Sequence, residues 1–346
     1  MNQRQVGQTA LRVTALGCGG APLGNLLAPV SDRDGGETID TAWANGCRYF
    51  DTAPYYGYGL SERRMGDGLR PHPRASYVLS TKVGRLIRAG DSEQKRLENF
   101  PASMPFHAEY DYSYDGVMRS AEDSYQRLGL ERVDILLMHD IEPRTHGDRY
   151  PGLLKIAMDG GYRAMAELRR NGVVNAIGLG VNDLAACEAA MEAGDFDCFL
   201  LAGRYTLLEQ TPLDRFFPAC QKRGISVIIG GPFNSGVLVS PERSDATYDY
   251  AAVPEAIRDR VQQLAEIAAA HGVALGAAAL QFCLAHPVVA SVIPGARTAA
   301  EVRSHWQMVN ASIPPAFWDD LRGQGLLHAD APVPGGSGAA PMSVTS

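Results

Sequence analysis

The stretch FDTAPYYGYGLSE, residues 50–62, places a carboxylate and two adjacent phenols directly after a short apolar segment. Similar segments, rich in Val, Ile, Leu, Phe or Tyr and not strictly alternating, recur along the chain. Parallel strands show this pattern because both of their faces are buried. The eight predicted strands are VTALGC (13–18), CRYF (47–50), YVLST (77–81), VDILLMH (133–139), NAIGLG (175–180), CFLLA (198–202), SVIIG (226–230) and VASVI (289–293).

Helical patterns separate several of these strands. The first begins at a possible N-cap, Ser31 or Asp32, and stops at Gly46. The predicted helices cover residues 31–46, 115–130, 161–172, 253–272 and 275–287. Eight strands alternating with helices over roughly 300 residues predict an α/β fold, the (β/α)8 or TIM barrel. An open doubly wound sheet is the structural alternative.

The two ends of the chain differ from this pattern. The segment QVGQTALRVT has two short strand-like pieces around Gly7 and Gln8, which predict a β-hairpin that covers the bottom of the barrel. We expect a single barrel domain over residues 1–325. Residues 326–346 are rich in Gly, Ser, Pro and Ala, so we expect a disordered tail there. Residues 85–115 have the composition of a long irregular loop, which is usually functional or mobile.

Composition limits the possible partners. The 346 residues include 45% apolar side chains, enough for a large core, and the net charge is −7. This acidic balance argues against nucleic acid or an anionic membrane as the main partner. The polar start MNQRQVGQTALRV and the six scattered cysteines lead us to expect a cytoplasmic protein with reduced thiols. The charge is compatible with a monomer or a homodimer that binds a small-molecule substrate.

Polar side chains follow three consecutive predicted strands. Asp51 ends the second strand and Tyr56 lies five residues later, Lys82 ends the third, and His139 ends the fourth. In a (β/α)8 barrel these ends meet at one mouth, where active sites lie. A nearby ammonium group favours the phenolate form of a tyrosine, and an acid can hold that ammonium. The set suits proton transfer to or from an oxygen while a hydride moves elsewhere.

Each of these side chains alone also has a structural explanation. Asp51 could form a turn, Lys82 could face solvent, and His139 could be a buried packing residue. Tyr56 could simply pack beside Tyr55. The combination of four compatible groups at neighbouring strand ends favours catalysis over four separate structural roles.

Several segments in collinear order resemble the aldo-keto reductase family. They are FDTAPYYGYGLSE, VLSTKVG, VDILLMHD, VGQTALRVTALGCGG and SVIPGARTAAEV, which span residues 4–310. The resemblance implies a (β/α)8 barrel, NAD(P)-dependent hydride transfer and a catalytic tetrad of Asp51, Tyr56, Lys82 and His139. It also implies that His139 and Tyr55 contact the substrate.

The resemblance further implies an extended dinucleotide site, since GCGGAPLG lacks the spacing of a Rossmann fingerprint. The implied cofactor residues are Gly20, Ala21, Asn182, Phe233, Asn234, Ser235, Gly236, Gly295, Ala296, Arg297 and Glu301. The chain departs from the family where the carboxamide is usually held. Asn182 lies one position late, and no Gln follows the sixth strand, where Arg204 could substitute.

Glu301 aligns with an arginine of NADP-using members. A carboxylate accepts hydrogen bonds from a ribose diol and repels a 2′-phosphate, which favours NAD over NADP. A small shift of the alignment would instead bring Arg297 or Arg303 to this place and favour NADP. No paired ligand spacing suggests a metal site.

Residues 110–142 are similar to the branch of the family that includes aldose 1-dehydrogenases for L-fucose or D-threo-aldoses and pyridoxal 4-dehydrogenase. The implied reaction is oxidation of a hemiacetal C1 hydroxyl to a lactone, with Tyr56 as the acid/base. We expect contacts to the substrate hydroxyls from residues 85–115 and 140–150. The alternatives are pyridoxal oxidation, a general aldehyde or ketone reductase, and a cofactor-binding regulatory subunit.

Overall fold

The computed structural model describes residues 2–90, 99–243, 246–249, 251–336 and 338–340. Eight parallel strands form one sheet. In their order across the sheet they are β14 (Val289–Ile293), β11 (Ser226–Gly230), β10 (Cys198–Ala202), β9 (Ala176–Val181), β8 (Ile135–His139), β5 (Val78–Val83), β4 (Tyr49–Asp51) and β3 (Cys18–Gly19). Bridges from Leu16 to Val292 and from Gly19 to Gly295 join the two ends of the sheet, so the predicted (β/α)8 barrel is confirmed. Two short strands outside the barrel, β12 (Thr247–Tyr248) and β13 (Ala251–Ala252), pair antiparallel with each other.

The first predicted strand, residues 13–18, is divided between two sheets. Its beginning belongs to β2 (Arg12–Thr14), which pairs antiparallel with β1 (Gln3–Gln5), while only β3 joins the barrel. The predicted hairpin is thus present. Its Arg4 guanidinium donates to the carbonyls of Val289 and Leu284 at 2.7 and 2.8 Å, which fixes the hairpin at the start of β14. Val6 and Val13 close the barrel interior from this side.

Twelve α-helices are present in the described part of the chain. They are α1 (Asp32–Ala44), α2 (Leu60–Leu69), α3 (Tyr114–Leu128), α4 (Pro143–His146), α5 (Tyr150–Ile156), α6 (Tyr162–Arg170), α7 (Leu184–Ala193), α8 (Phe216–Arg223), α9 (Glu255–Ala270), α10 (Leu275–Ala285), α11 (Ala299–Asn310) and α12 (Pro315–Gly323). A π-helical segment, Ala157–Gly161, joins α5 to α6. Each of the five predicted helices is present, with Ser31 as the N-cap of α1.

The segment 85–115 is more regular than its composition suggests. Its ends form an antiparallel hairpin of β6 (Arg85–Ala89) and β7 (Phe106–Tyr110). The expectation of an irregular loop was wrong at these residues because cross-strand pairing overrides local composition. Residues 91–98 of this segment lie outside the described residues. The hairpin rises beside the mouth of the barrel and contributes Arg85 and Tyr110 to the cavity there.

Two apolar layers hold the fold together. A small cluster fills the barrel interior, including Tyr49, Ile135, Leu200 and Ile228. A larger one lies between the sheet and the surrounding helices, where α10 is buried along its whole length. All six cysteines lie within the described residues, are buried and form no disulfide. No single described helix is long and apolar enough to cross a membrane, and α9 with α10 reaches that length only across a bend of 101°.

The expectation of a disordered tail over residues 326–346 is wrong for residues 326–333, which pack against the barrel. Leu326, Leu327, Ala331 and Val333 are buried. The Gln210 side chain donates to the Leu326 carbonyl at 3.0 Å, which ties this segment to the loop after β10. The apolar residues among the small ones explain this packing, because each gains by leaving water.

Gly66 allows α2 to approach the end of α3. A Cβ atom at Gly66 would lie 1.8 Å from the Leu128 carbonyl oxygen, whereas one at Gly152 in α5 would meet nothing within 4 Å. Gly66→Ala should lower the free energy of unfolding by about 1–3 kcal/mol through overpacking. Gly152→Ala, the matched control, should raise it by up to about 1 kcal/mol through helix propensity. Urea unfolding of both variants measures the difference, and equal effects would contradict this account of the α2–α3 contact.

Candidate active site

A buried ion pair lies at the mouth of the barrel. The Lys82 ammonium donates to both Asp51 carboxylate oxygens at 2.8 and 2.9 Å and to the Thr52 carbonyl at 2.9 Å. The Ser80 hydroxyl donates to the same carboxylate at 2.7 Å. Lys82 is 1% exposed and Asp51 is 2% exposed. A buried charge pair is tolerated only when its geometry is good and its remaining hydrogen bonds are made, as they are here.

Tyr56 lies above this ion pair, in the turn after β4. The Lys82 ammonium nitrogen is 4.9 Å from the centroid of the Tyr56 ring. The backbone at Gly24 packs directly against this turn. A Cβ atom at Gly24 would lie only 2.4 Å from the Tyr56 carbonyl carbon, so a larger residue does not fit there. Gly57, with φ +65°, adopts the left-handed conformation needed at the next position. The turn therefore places the phenol next to the ammonium.

His139 completes the predicted tetrad. Its ring centroid is 5.8 Å from that of Tyr56, with the rings nearly perpendicular. Burial lowers the pKa of His139 to about 3, and the Arg85 and Lys82 cations act in the same direction against the opposing Asp140 carboxylate. The ring is therefore neutral at physiological pH. Its Nδ1 atom is buried and has no hydrogen-bond partner among the described residues.

These groups border a cavity of about 560 Å³, here called the first cavity. Tyr56, Lys82 and His139 lie on its wall together with Tyr55, the predicted substrate contact. Tyr55 packs edge-on against Phe100 with ring centroids 5.2 Å apart. The predicted contact segments 85–115 and 140–150 both border the cavity, through Arg85, Asn99, Phe100, Tyr110, Asp140, Glu142, Arg144 and Thr145. The cavity thus combines aromatic walls with polar groups.

Asp249 joins the loops around the first cavity. Its carboxylate accepts from Arg204 at 2.6 and 3.1 Å and from Arg144 at 2.8 Å. Arg204 also donates to the Asn182 carbonyl at 2.8 Å, so it holds loops together in this structure. The Asn182 backbone N–H donates to the Glu142 carboxylate at 2.6 Å. Burial and the Asp140 charge raise the pKa of Glu142.

A second cavity of about 760 Å³ lies beside the first, and Leu26 borders both. Six predicted cofactor residues border the second cavity, namely Phe233, Ser235, Gly236, Gly295, Arg297 and Glu301. Ala21 and Asn182 border the first. The remaining three, Gly20, Asn234 and Ala296, border neither cavity. Gly20 instead donates its backbone N–H to the Asp51 carbonyl at 2.7 Å.

The loop after β11 has an unusual backbone. Asn234, Ser235 and Gly236 have φ values of +46°, +60° and +99°. Consecutive turn conformations of this kind can direct backbone N–H groups to one side and make a concave anion site. Asn234 is buried, and its amide donates to the Gly203 carbonyl at 3.2 Å, which ties the loop to the end of β10. Asn234 thus supports the loop from within.

The start of α11 forms another edge of the second cavity. The Thr298 hydroxyl accepts from the Glu301 backbone N–H at 3.2 Å. The Glu301 carboxylate in turn accepts from the Arg297 backbone N–H at 2.8 Å and lies 3.5 Å from its guanidinium. Arg303 is exposed and does not border the cavity. A helix N-terminus beside a turn rich in N–H groups suits phosphate, so the residues present fit an extended dinucleotide.

The chain is similar to several known proteins. The family model described as the aldo/keto reductase family matches residues 15–323. Pyridoxal 4-dehydrogenase of Microbacterium luteolum is 44% identical over 94% of this chain and 98% of its own length. D-threo-aldose 1-dehydrogenase of Pseudomonas sp. is 37% identical over 90% of this chain and 94% of its own length.

A solved structure shows the same fold. Aldo-keto reductase AKR11C1 of Bacillus halodurans, in its holo form, superposes with a TM-score of 0.74 at 25% identity. The match covers 95% of this chain and 97% of that one. The two named dehydrogenases confirm the branch that residues 110–142 indicate. The chain therefore belongs to the aldo/keto reductase family and is an NAD(P)-dependent oxidoreductase acting on CH–OH donors.

Proposed function

We propose that this oxidoreductase oxidises the hydroxyl-bearing carbon of a small cyclic hemiacetal to the lactone. The observation that carries the proposal is the placement of Tyr56 above the buried Lys82–Asp51 pair, with neutral His139 across the same cavity. Because the chain is an oxidoreductase, the alternative of a regulatory subunit is dropped. The dinucleotide, when bound, supplies the hydride acceptor.

The protein residues handle the proton. Tyr56 as phenolate takes the proton from the hemiacetal hydroxyl while the carbon–hydrogen bond breaks and the carbonyl forms. The Lys82 ammonium stabilises the phenolate, and Asp51 holds that ammonium in place. Neutral His139 hydrogen-bonds the reacting oxygen and orients it. The proton taken by Tyr56 is released to solvent afterwards, so the cycle yields one hydride and one proton.

Pyridoxal is the first substrate to test. The Microbacterium relative named pyridoxal 4-dehydrogenase shares 44% of its residues with this chain over nearly the full length of both. The first cavity also has aromatic walls formed by Tyr55, Phe100 and Tyr110, which suit a flat ring. Pyridoxal can form an internal cyclic hemiacetal, which meets the chemical requirement of the site.

An aldose is the second candidate. Polar groups border the same cavity, namely Asn99, Glu142, Arg144, Asn182 and Asp249. A site that hydrogen-bonds several hydroxyl groups discriminates well against analogues that lack them. The relative named D-threo-aldose 1-dehydrogenase supports this possibility.

We also propose that the cofactor is NAD. The Glu301 carboxylate borders the second cavity and is hydrogen-bonded to the backbone of Arg297, so it stays at the cavity edge. Its charge repels a 2′-phosphate. Of the two arginines that would favour NADP, Arg303 is exposed and away from the cavity. Arg297 borders the cavity, but its guanidinium lies 3.5 Å from the Glu301 carboxylate, which offsets its charge.

One set of assays tests both the substrate and the role of Tyr56 as acid/base. The assays use NAD with a panel of pyridoxal, L-fucose, D-arabinose, L-galactose and L-xylose. We expect NADH formation on pyridoxal, and a rate reduced about 10²- to 10⁴-fold in Tyr56→Phe because the acid/base is lost. Initial rates near pH 9 measure both. Tyr58→Phe is the matched control and should lose far less. Turnover on aldoses alone would assign the sugar reaction, and full activity of Tyr56→Phe would refute its role.

The Asp51–Lys82 pair is tested through stability. Asp51→Asn leaves a buried ammonium without its counter-charge, and we expect the free energy of unfolding to fall by about 3–5 kcal/mol. The double variant Asp51→Leu and Lys82→Met removes both charges and should recover most of that loss without recovering activity. Urea unfolding and NADH formation check the two statements. An active double variant would show that the pair serves only the fold.

Cofactor preference is tested with Glu301→Gln. Loss of the carboxylate should move the ratio of kcat/KM for NADP against NAD about tenfold toward NADP, which corresponds to about 1.4 kcal/mol. Arg303→Gln, a neighbouring charge change outside the cavity, should leave the ratio unchanged. Initial-rate kinetics with both dinucleotides provide the measurement, and an unchanged ratio in Glu301→Gln would contradict the assignment.

A further inference from the structure

A second ion pair lies beside His139 and has no part in the steps above. The Arg85 guanidinium hydrogen-bonds the Asp140 carboxylate. Their side chains are only 7% and 13% exposed. Arg85 begins β6, whereas Asp140 directly follows His139 at the end of β8. The pair therefore connects the hairpin to the strand that carries the histidine.

Arg85 is fixed by two aromatic rings as well as by its counter-ion. Its guanidinium carbon lies 3.8 Å from the Tyr55 ring centroid and 4.6 Å from that of Tyr110. Cation–π contacts of this kind gain strength when the cation is withdrawn from water. Arg85 also borders the first cavity. The Arg85 guanidinium thus fixes the ring of Tyr55, which forms part of the wall of the first cavity beside the tetrad.

Asp140 adopts a backbone conformation that costs free energy. Its φ is +50°, in the left-handed region that side-chain-bearing residues seldom occupy. Its backbone N–H donates to the Gly180 carbonyl at 2.9 Å, which holds this turn to β9. The conformation brings one carboxylate oxygen 3.7 Å from the His139 Nε2 atom. Asp140 therefore faces the imidazole on one side and Arg85 on the other.

Three ionised groups among the described residues act on the His139 ring, namely Asp140, Arg85 and Lys82. The phenols of Tyr55 and Tyr56 face it with ring centroids 6.3 and 5.8 Å away. From the hairpin side, the Tyr112 hydroxyl donates to the His139 carbonyl at 2.7 Å and also contacts His146 at 2.9 Å.

Arg85 and Asp140 have opposite effects. An isolated carboxylate at this distance would draw a proton onto the imidazole, whereas the Arg85 cation offsets it. Burial alone would raise the pKa of Asp140, but the adjacent His139 and Arg85 reverse this effect and lower it. Since the His139 ring is neutral at physiological pH, the cations that keep Asp140 ionised there are Arg85, which also hydrogen-bonds it, and Lys82.

We propose that Arg85 and Asp140 form a positioning pair, in which Arg85 supplies the counter-charge that lets Asp140 anchor the turn without drawing a proton from solvent onto His139. Arg85 at the same time holds Tyr55 as the cavity wall. This inference rests on the proposed function, in which neutral His139 orients the reacting oxygen. A pair with a structural role alone would not control the protonation of the histidine.

The direct test observes the His139 ring by NMR in protein with ¹³C-labelled histidine, using His139→Gln to identify the signal. In the wild type the signal should not titrate between pH 5 and 9. In Arg85→Met the uncompensated Asp140 charge should bring the titration into that window. The His139 signal should not titrate between pH 5 and 9 in Arg85→Lys or in Asp140→Asn. It should also not titrate in the double variant that carries both Arg85→Met and Asp140→Asn. A flat His139 signal in folded Arg85→Met would overturn the proposal.

Kinetics provide a second readout. The pH profile of kcat/KM for Arg85→Met should gain a new acid limb as His139 takes up a proton. Arg85→Lys should remove this limb by restoring the charge. The same limb in the double variant would overturn the proposal, since that variant lacks the Asp140 charge. The NMR titration needs no substrate. Inactivity of the wild type on the whole substrate panel would therefore count against the proposed function, whereas the NMR result alone decides whether Arg85 controls the protonation of His139.

Discussion

The active site depends on one costly interaction, the burial of the Lys82 ammonium against the Asp51 carboxylate inside the barrel mouth. Taking two charges from water costs several kcal/mol per ion, and the cost is offset only by good geometry and further hydrogen bonds. The barrel supplies these from adjacent strands, with Asp51 on β4 and both Ser80 and Lys82 on β5. A rigid parallel sheet is therefore a requirement of the proposed chemistry.

The loops above the sheet form two neighbouring cavities. One cavity, bordered by Tyr55, Phe100 and Tyr110, leads to the tetrad, while a second follows the loop after β11 and the start of α11. Ion pairs from Asp249 to Arg144 and Arg204 connect the loops around the first cavity. Arg204, which the sequence suggests as a possible partner of the cofactor carboxamide, instead joins the Asn182 loop to Asp249 in this structure.

The barrel and the meeting of three polar strand ends could be predicted from the sequence because both follow local rules. Strand patterns predict parallel pairing, and parallel strands bring their ends together, so Asp51, Lys82 and His139 had to meet. The choice of Tyr56 rather than Tyr55 came from the family resemblance. The hairpin of β6 and β7 and the packing of residues 326–333 could not be predicted, since cross-strand partners and distant contacts determine them. Arg85 and Asp140 were missed as a functional pair for the same reason: their separation of 55 positions hides the contact.

In the proposed mechanism, Lys82 acts through Tyr56. Single-turnover NADH formation in Lys82→Met, Tyr56→Phe and the double variant tests it most directly, because residues that act as one unit show non-additive losses. We expect the double variant to be no slower than Tyr56→Phe alone. Losses that multiply in the double variant would mean that the lysine contributes independently of the tyrosine, and would refute this coupling.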